Sequence, residues 1–317
     1  MSRAGSAVPA VGGRPLPDLS VLAGALVWLA ATALAPLGAA ERALALAPLV
    51  LVPLGIGMVG RSGFDGLAGR LFRAATWLQP VGALLFTASL ALSVDGLAAA
   101  ALAAPWLAVT GLLGLAALAR TVDRGGLALP ETAVDAGLAY VSVGAVALLL
   151  YHLDITFWFG RTIILLTAVH FHYAGFTLPV IAGLTGQSYD SAPSTAYTAL
   201  MAVILAGPAI IAVGISFSPL VEVIAVGGFT VAVALFGTHV VVRVAPTRPR
   251  AQGLLLGASA IALPVSMALA LGYGVATFTG TNLGLDIGTM VALHGSLNAF
   301  GFALLGLVGW RLSVPGR

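Results

Sequence analysis

The feature that most limits what this chain can fold into is a series of ten apolar stretches, nearly free of charge. They run from Asp18 to Gly38, Ala43 to Val59, Ala74 to Leu92, Leu97 to Ala119, Ala133 to Tyr151, Thr162 to Leu184, Ala196 to Phe217, Leu220 to Val242, Gly253 to Gly274 and Gly288 to Trp310. At ~1.5 Å of rise per residue, stretches of this length cross a hydrocarbon layer of ~30 Å. No water reaches a backbone amide there, so each stretch must close its own hydrogen bonds as a helix. The expected fold is all-α: a polytopic transmembrane bundle of about ten helices. Composition agrees, since 60% of the 317 residues are hydrophobic and 8% are charged, against roughly 25% charged in a soluble domain.

Charge then sets orientation. All basic residues are arginine, and they sit beside the apolar stretches rather than along a polar face, which argues for topology signals and against a nucleic-acid partner. If the N-terminus lies on side A, that side receives Arg3, Arg14, Arg61, Arg70, Arg73, Arg120, Arg124, Arg243, Arg248, Arg250, Arg311 and Arg317, while side B receives Arg42 and Arg161. Side A is expected to be cytoplasmic, with both termini inside a bacterial cell membrane. The first stretch is longer than the ~7 to 15 apolar residues of a signal peptide, so it reads as a span. With no cysteine, disulfides and thiolate ligands are excluded.

Three parts are expected. Residues 1–17, made mainly of Gly, Pro, Ala and Arg, read as a disordered cytoplasmic tail. Residues 18–151 read as a scaffold of five helices, and residues 152–317 as the half that carries chemistry, because all five histidines lie beyond position 151. Between the fifth and sixth stretches lies an aromatic loop with His152, Asp154 and Trp158. It reads either as an interfacial aromatic belt or as a lid in which His152 and Asp154 relay a proton.

The sixth stretch centres on His170-Phe171-His172-Tyr173-Ala174-Gly175-Phe176. Polar groups at such depth are costly unless they serve a purpose. Thr167, His170, Ala174 and Thr177 share one helical stripe, and His172 lies about 200° round from His170. One imidazole is therefore expected to face a site and the other to pack against a neighbour, with His170 favoured for the site. In the tenth stretch, His294 and Asn298 form an i, i+4 pair on one face. His170 lies nine residues beyond Arg161 and His294 eight beyond Asp286, so both reach roughly 12 to 14 Å into the bilayer from side B. The expectation is one shared pocket opening toward the extracytoplasmic side. His170, His294, Asn298, His172 and Tyr173 would be its reactive groups, and Thr167, Phe171, Phe176, Thr177, Phe302, Trp158, Asp154 and Asp286 its substrate contacts.

The two motifs, His-Phe-His-Tyr-Ala-Gly-Phe and His294-Gly-Ser-Leu-Asn298-Ala-Phe-Gly-Phe302, resemble the YndJ-like family of bacterial integral membrane proteins, over roughly the second half of the chain. The resemblance implies a membrane fold and points to His170, His172, His294 and Asn298 without naming a substrate. From the residues themselves, the first functional reading is acid/base chemistry by imidazole on a lipophilic molecule, such as cyclisation or isomerisation of an isoprenoid or polyketide. A transporter with a polar site at the midplane is the second, and a His-ligated metal or haem protein the third. The first requires no cofactor, no metal and no protein partner beyond membrane lipid and the lipophilic substrate.

Overall fold

The computed structural model describes residues 7–61, 63–189 and 194–315. Among these, ten helices are long and apolar enough to span a membrane: α1 (Leu16–Leu34), α2 (Ala39–Val59), α3 (Gly66–Ala91), α4 (Gly96–Asp123), α5 (Glu131–His152), α6 (Arg161–Gln187), α7 (Thr195–Phe217), α8 (Pro219–Thr247), α9 (Arg250–Thr279) and α10 (Ile287–Leu312). The all-α, ten-helix architecture is therefore as expected. Several helices outrun their apolar stretches. α3, for example, begins at Gly66, because hydropathy registers only the lipid-crossing part and misses end turns that carry Arg70 and Arg73.

The chain forms two compact units, one up to Val180 and one from Ile181, so the division falls inside α6. The first part of α6 belongs with α5. Gly144 on α5 admits it closely: a Cβ there would lie 2.6 Å from His172 Nδ1 and 3.0 Å from the Ala168 carbonyl oxygen.

In the first unit the centre is α2, whose apolar window is 94% buried, whereas that of α1 is 17% buried. Two prolines explain what α2 requires of its neighbours. Pro48 and Pro53 lack the N–H that would engage carbonyls one turn earlier, and residues Ala47–Leu51 open into a π-helical turn. Freed carbonyls inside lipid must be met from elsewhere. Tyr173 Oη donates to the Ala43 oxygen at 2.8 Å, and Gln79 Nε2 donates to the Pro48 oxygen at 2.8 Å. At the Leu49 oxygen, Gly24 of α1 approaches so closely that a Cβ would fall 2.0 Å away.

Near one end of this unit, Asp135 is 5% exposed. It pairs with Arg120 Nη1 at 3.2 Å and Arg124 Nη2 at 2.8 Å, and accepts from Thr121 Oγ1 at 3.1 Å. The Arg120 guanidinium also lies 4.7 Å from the Phe64 ring centre. These contacts tie the α4–α5 turn to the residues before α3.

Residues 7–15, assigned by composition to a disordered tail, are ordered, while residues 1–6 lie outside the described residues. Strands β1 (Ala10–Val11) and β2 (Arg14–Pro15) pair antiparallel across Gly12 and Gly13, whose φ values of 57° and 77° suit a two-residue hairpin turn. Ala7 N–H donates to the Gly60 oxygen at 3.1 Å, which fastens the hairpin to the end of α2.

The second unit is built from the end of α6 and α7 to α10. α7 and α8 meet at Ser218, whose hydroxyl caps α8 through Val221 N–H. α9 is joined to α10 by Ser259 Oγ, which donates to the Phe302 oxygen at 2.7 Å. Phe302 itself is buried at 3% exposure. π-helical turns interrupt α8 over Val240–Val244 and α10 over Val291–Gly295 and Leu297–Leu304. The helices are thus widened rather than broken.

Candidate functional site

Three of the five histidines stand at the start of, or within, a π-helical turn. His172 precedes Tyr173–Thr177, His239 precedes Val240–Val244, and His294 lies within Val291–Gly295. Such turns leave backbone groups for side chains to satisfy and recur at functional sites. In α6 the cause is readable. Pro179 lacks an N–H for the Gly175 carbonyl, Leu178 N–H reaches back five residues to the Tyr173 oxygen, and Thr177 Oγ1 donates to the His172 oxygen at 3.1 Å.

The extra residue in this turn breaks the stripe expected from helical spacing. Thr167 and His170 remain on the outer side, half-buried and exposed, while Thr177 is fully buried. Thr167 Oγ1 donates to the Ile163 oxygen at 2.8 Å, and the His170 Nδ1 lies 2.6 Å from the Leu166 oxygen, so Nδ1 carries the proton.

His172 is the packed histidine of the pair. It is 0% exposed, its Nε2 accepts from Trp106 Nε1–H at 3.0 Å, and its Nδ1 donates to the Ala168 oxygen at 2.8 Å. The indole N–H can only donate, so the ring is neutral with its proton on Nδ1. Trp106 stacks on it at 6.1 Å and 18°, and Phe86 lies 5.7 Å away. Tyr173, Phe171 and Phe176 are equally enclosed. Phe171 packs on Tyr140 at 5.8 Å, and Phe176 sits against Gly55 of α2. These four expected site residues therefore have complete packing roles in the first unit.

The second unit holds a different arrangement. His294 and Asn298 are half-buried on α10, and His294 meets Ser266 of α9. His294 Nδ1 lies 2.9 Å from both the Ser266 carbonyl oxygen and Ser266 Oγ, and Ser266 Oγ donates to the His294 carbonyl at 3.2 Å. A carbonyl can only accept, so Nδ1 carries the proton and Nε2 accepts from Asn298 Nδ2 at 3.1 Å. The α9–α10 contact thus fixes one imidazole tautomer, held by a serine that the sequence pattern did not single out. A Ser in an apolar helix has many bland readings, and only its opposition to His294 marks it. Among the described residues, no group of three His, Cys, Asp or Glu side chains converges as a metal site.

The loop residues have separate partners. Asp154 is exposed, has φ 56° and pairs with Arg161 at 3.2 Å, and Arg161 also lies 4.4 Å from the Tyr151 ring centre. His152 Nε2 bonds Ser89 Oγ at 3.0 Å, so His152 and Asp154 are engaged in different contacts rather than with one another. Trp158 is 66% exposed beside Phe157. Asp286 caps α10, accepting from Thr289 N–H at 2.7 Å, and this bond holds its carboxyl below the ordinary range.

Comparison with known proteins extends the resemblance beyond the second half. The family model described as "YndJ-like protein" matches residues 42–302, from α2 into α10. The protein described as "Uncharacterized membrane protein YndJ" of Bacillus subtilis (strain 168) is 34% identical over 235 residues, covering 74% of this chain and 41% of that protein. The chain therefore spans less than half the length of that relative. No solved structure matches. With the family match running from α2 through α9 and into α10, this multi-pass membrane protein belongs to the YndJ-like family.

Proposed function

We propose that the chain is an integral membrane enzyme that performs histidine acid/base chemistry on a lipophilic substrate, with His294 as the proton-transferring group. The observation that carries this reading is the Ser266–His294–Asn298 arrangement. Nδ1–H is committed to a backbone carbonyl, which directs proton exchange to Nε2. The group facing Nε2 is a neutral carboxamide with a donor at one end and an acceptor at the other. By turning over, Asn298 serves either the neutral imidazole or the imidazolium, so a proton can arrive and leave without an unpaired group in lipid. Isomerisation and cyclisation need this capacity, because one proton is delivered to the substrate and another is removed.

The arginine distribution supports cytoplasmic termini, and ten spans return the chain to the side on which it began. α10 then enters from the extracytoplasmic side. His294 lies seven residues beyond Ile287, about 10 Å along the helix, which supports access from that side. Transport is the second reading, favoured by the π-helical turns beside the histidines of α6 and α10. The haem reading loses His172 as a ligand, because the Trp106 N–H occupies the Nε2 lone pair.

The test compares lipophilic extracts, by untargeted mass spectrometry, from cells producing wild type, His294→Ala, Asn298→Ala or His170→Ala at matched membrane levels. A product present with wild type should vanish with His294→Ala and fall with Asn298→Ala. Detergent-purified wild type should form it from the accumulated precursor with no gradient. Identical extracts from wild type and His294→Ala overturn the proposal, and a species that only changes sides in intact vesicles assigns transport instead.

A further inference from the structure

Charge is separated along the second unit. Its helices run antiparallel, so the ends of α8 and α10 and the start of α9 lie together at one end, and this end carries Arg243, Arg248, Arg250 and Arg311. The carboxylates of the unit's described residues, Glu222 and Asp286, lie at the opposite end, at the starts of α8 and α10. Asp190 lies outside the described residues. Among the described residues, Arg243, Arg248 and Arg250 have no ion-pair partner.

Arg248 is held in a defined pose. Its guanidinium lies 5.3 Å from the ring centre of Trp310, a fully buried side chain, and Nη2 donates to the Ser188 oxygen at 3.3 Å. Nε is buried with no hydrogen-bond partner. Alongside stands an aromatic cluster in which Tyr189 Oη bonds His239 Nε2 and Tyr197 lies 6.0 Å from Tyr189 and 5.9 Å from His239. Burial pushes the Tyr189 phenol up, and the nearby Arg248 charge acts in the opposite sense. Tyr189 therefore stays a neutral hydroxyl at physiological pH. The rim is apolar: Val242 beside Arg243, Leu312 beside Arg311, and Leu254 one turn after Arg250 are 59%, 57% and 67% exposed.

We propose that this end of the second unit binds the headgroup of an anionic glycerophospholipid, with Arg248 as the principal phosphate ligand. A rigid planar guanidinium with an unsatisfied N–H suits a phosphate oxygen, and three cations without carboxylate partners favour a headgroup of net negative charge. The exposed aliphatic residues interleaved with the arginines fit acyl chains, which selects a lipid over a free anion. Helix ends of the second unit would thereby be clamped to one leaflet, independently of any chemistry at His294.

The test uses the full chain, delipidated in a non-ionic detergent. Thermal stability and retained lipid, counted by native mass spectrometry, are measured with phosphatidylglycerol, with phosphatidylcholine and with inorganic phosphate alone. Phosphatidylglycerol should be retained preferentially and stabilise most, and the preference should fade as salt rises from 0.1 M to 1 M and the screening length shrinks from about 10 Å to about 3 Å. Arg248→Gln should weaken the preference at least about fivefold, the scale for one basic group at a membrane surface. Arg248→Lys should retain part of it. Arg243→Gln and Arg250→Gln, both exposed and so neutral to folding, should each lower it by up to about fivefold. Equal effects of the two lipids, an unchanged preference in these variants, or full reproduction by inorganic phosphate overturns the proposal.

Discussion

Replacing Gly144 by alanine sets two effects of opposite sign against each other. Removing a glycine from the interior of α5 favours the helix by up to ~1 kcal/mol, measured in water. The added methyl would lie 2.6 Å from His172 Nδ1, 2.8 Å from Cε1 and 3.0 Å from the Ala168 oxygen. None of these is the loose end of a flexible chain. The imidazole is held on its other side by Trp106 at 3.0 Å, and the oxygen is backbone. α5 and α6 must therefore separate, at an overpacking cost of ~1 to 3 kcal/mol. The Nδ1–H to Ala168 bond, which lies where the methyl enters, contributes a further ~0.5 to 1.5 kcal/mol. The balance is a destabilisation of about 0.5 to 3.5 kcal/mol. Gly111 on α4 is the control, since a Cβ there meets nothing within 4 Å, so Gly111→Ala should match or exceed wild type. The assay is the temperature at which detergent-purified protein loses its monodisperse chromatographic peak. If Gly144→Ala proves as stable as Gly111→Ala, the close packing at His172 is refuted.

Asp135→Ala should destabilise by about 3 to 5 kcal/mol, because it leaves the buried Arg120 and the half-buried Arg124 without their carboxylate; the same thermal assay reads it. Tyr173→Phe should cost about 1 to 3 kcal/mol by leaving the Ala43 carbonyl unmet, with little change in the spectroscopic helix content. Asp286 supplies a pH-dependent element. Its folded pKa is depressed, so the stability it adds is complete above the ordinary carboxylate value of 3.8 and is lost as pH falls through the folded value. Asp286→Asn retains the cap acceptor and should flatten the acid limb of the stability profile.

Apolar length alone made the ten helices legible, since lipid leaves an amide no other partner. Relative burial was not legible. α1 and α2 are similarly apolar, yet one is the periphery and the other the centre of the first unit. Which helix is surrounded depends on contacts between distant segments, and a hydropathy profile carries none. That one of His170 and His172 is buried and the other exposed follows from their angular separation. The identity of Trp106 as the partner of His172 does not, because it lies 66 residues away. The π-helical turn after His172 escaped the spacing argument because it assumed 3.6 residues per turn throughout, and that assumption placed Thr177 on the stripe of His170. The i, i+4 relation of His294 and Asn298 was read directly and appears as a hydrogen bond. The tail hairpin was signalled by Gly12-Gly13, whose turn chemistry composition averaged away.

The prolines of α2 also impose an order in time. The Ala43 carbonyl is made first, and the hydroxyl that meets it belongs to a residue 130 positions later. At ~5 to 20 residues per second, the second helix waits roughly 6 to 26 s for Tyr173. During that interval a chaperone, the insertion machinery or a passing water must shelter the exposed oxygen. A ribosome that stalls before α6 leaves a nascent chain whose most apolar-packed helix is incomplete, and membrane proteases have a window in which to find it.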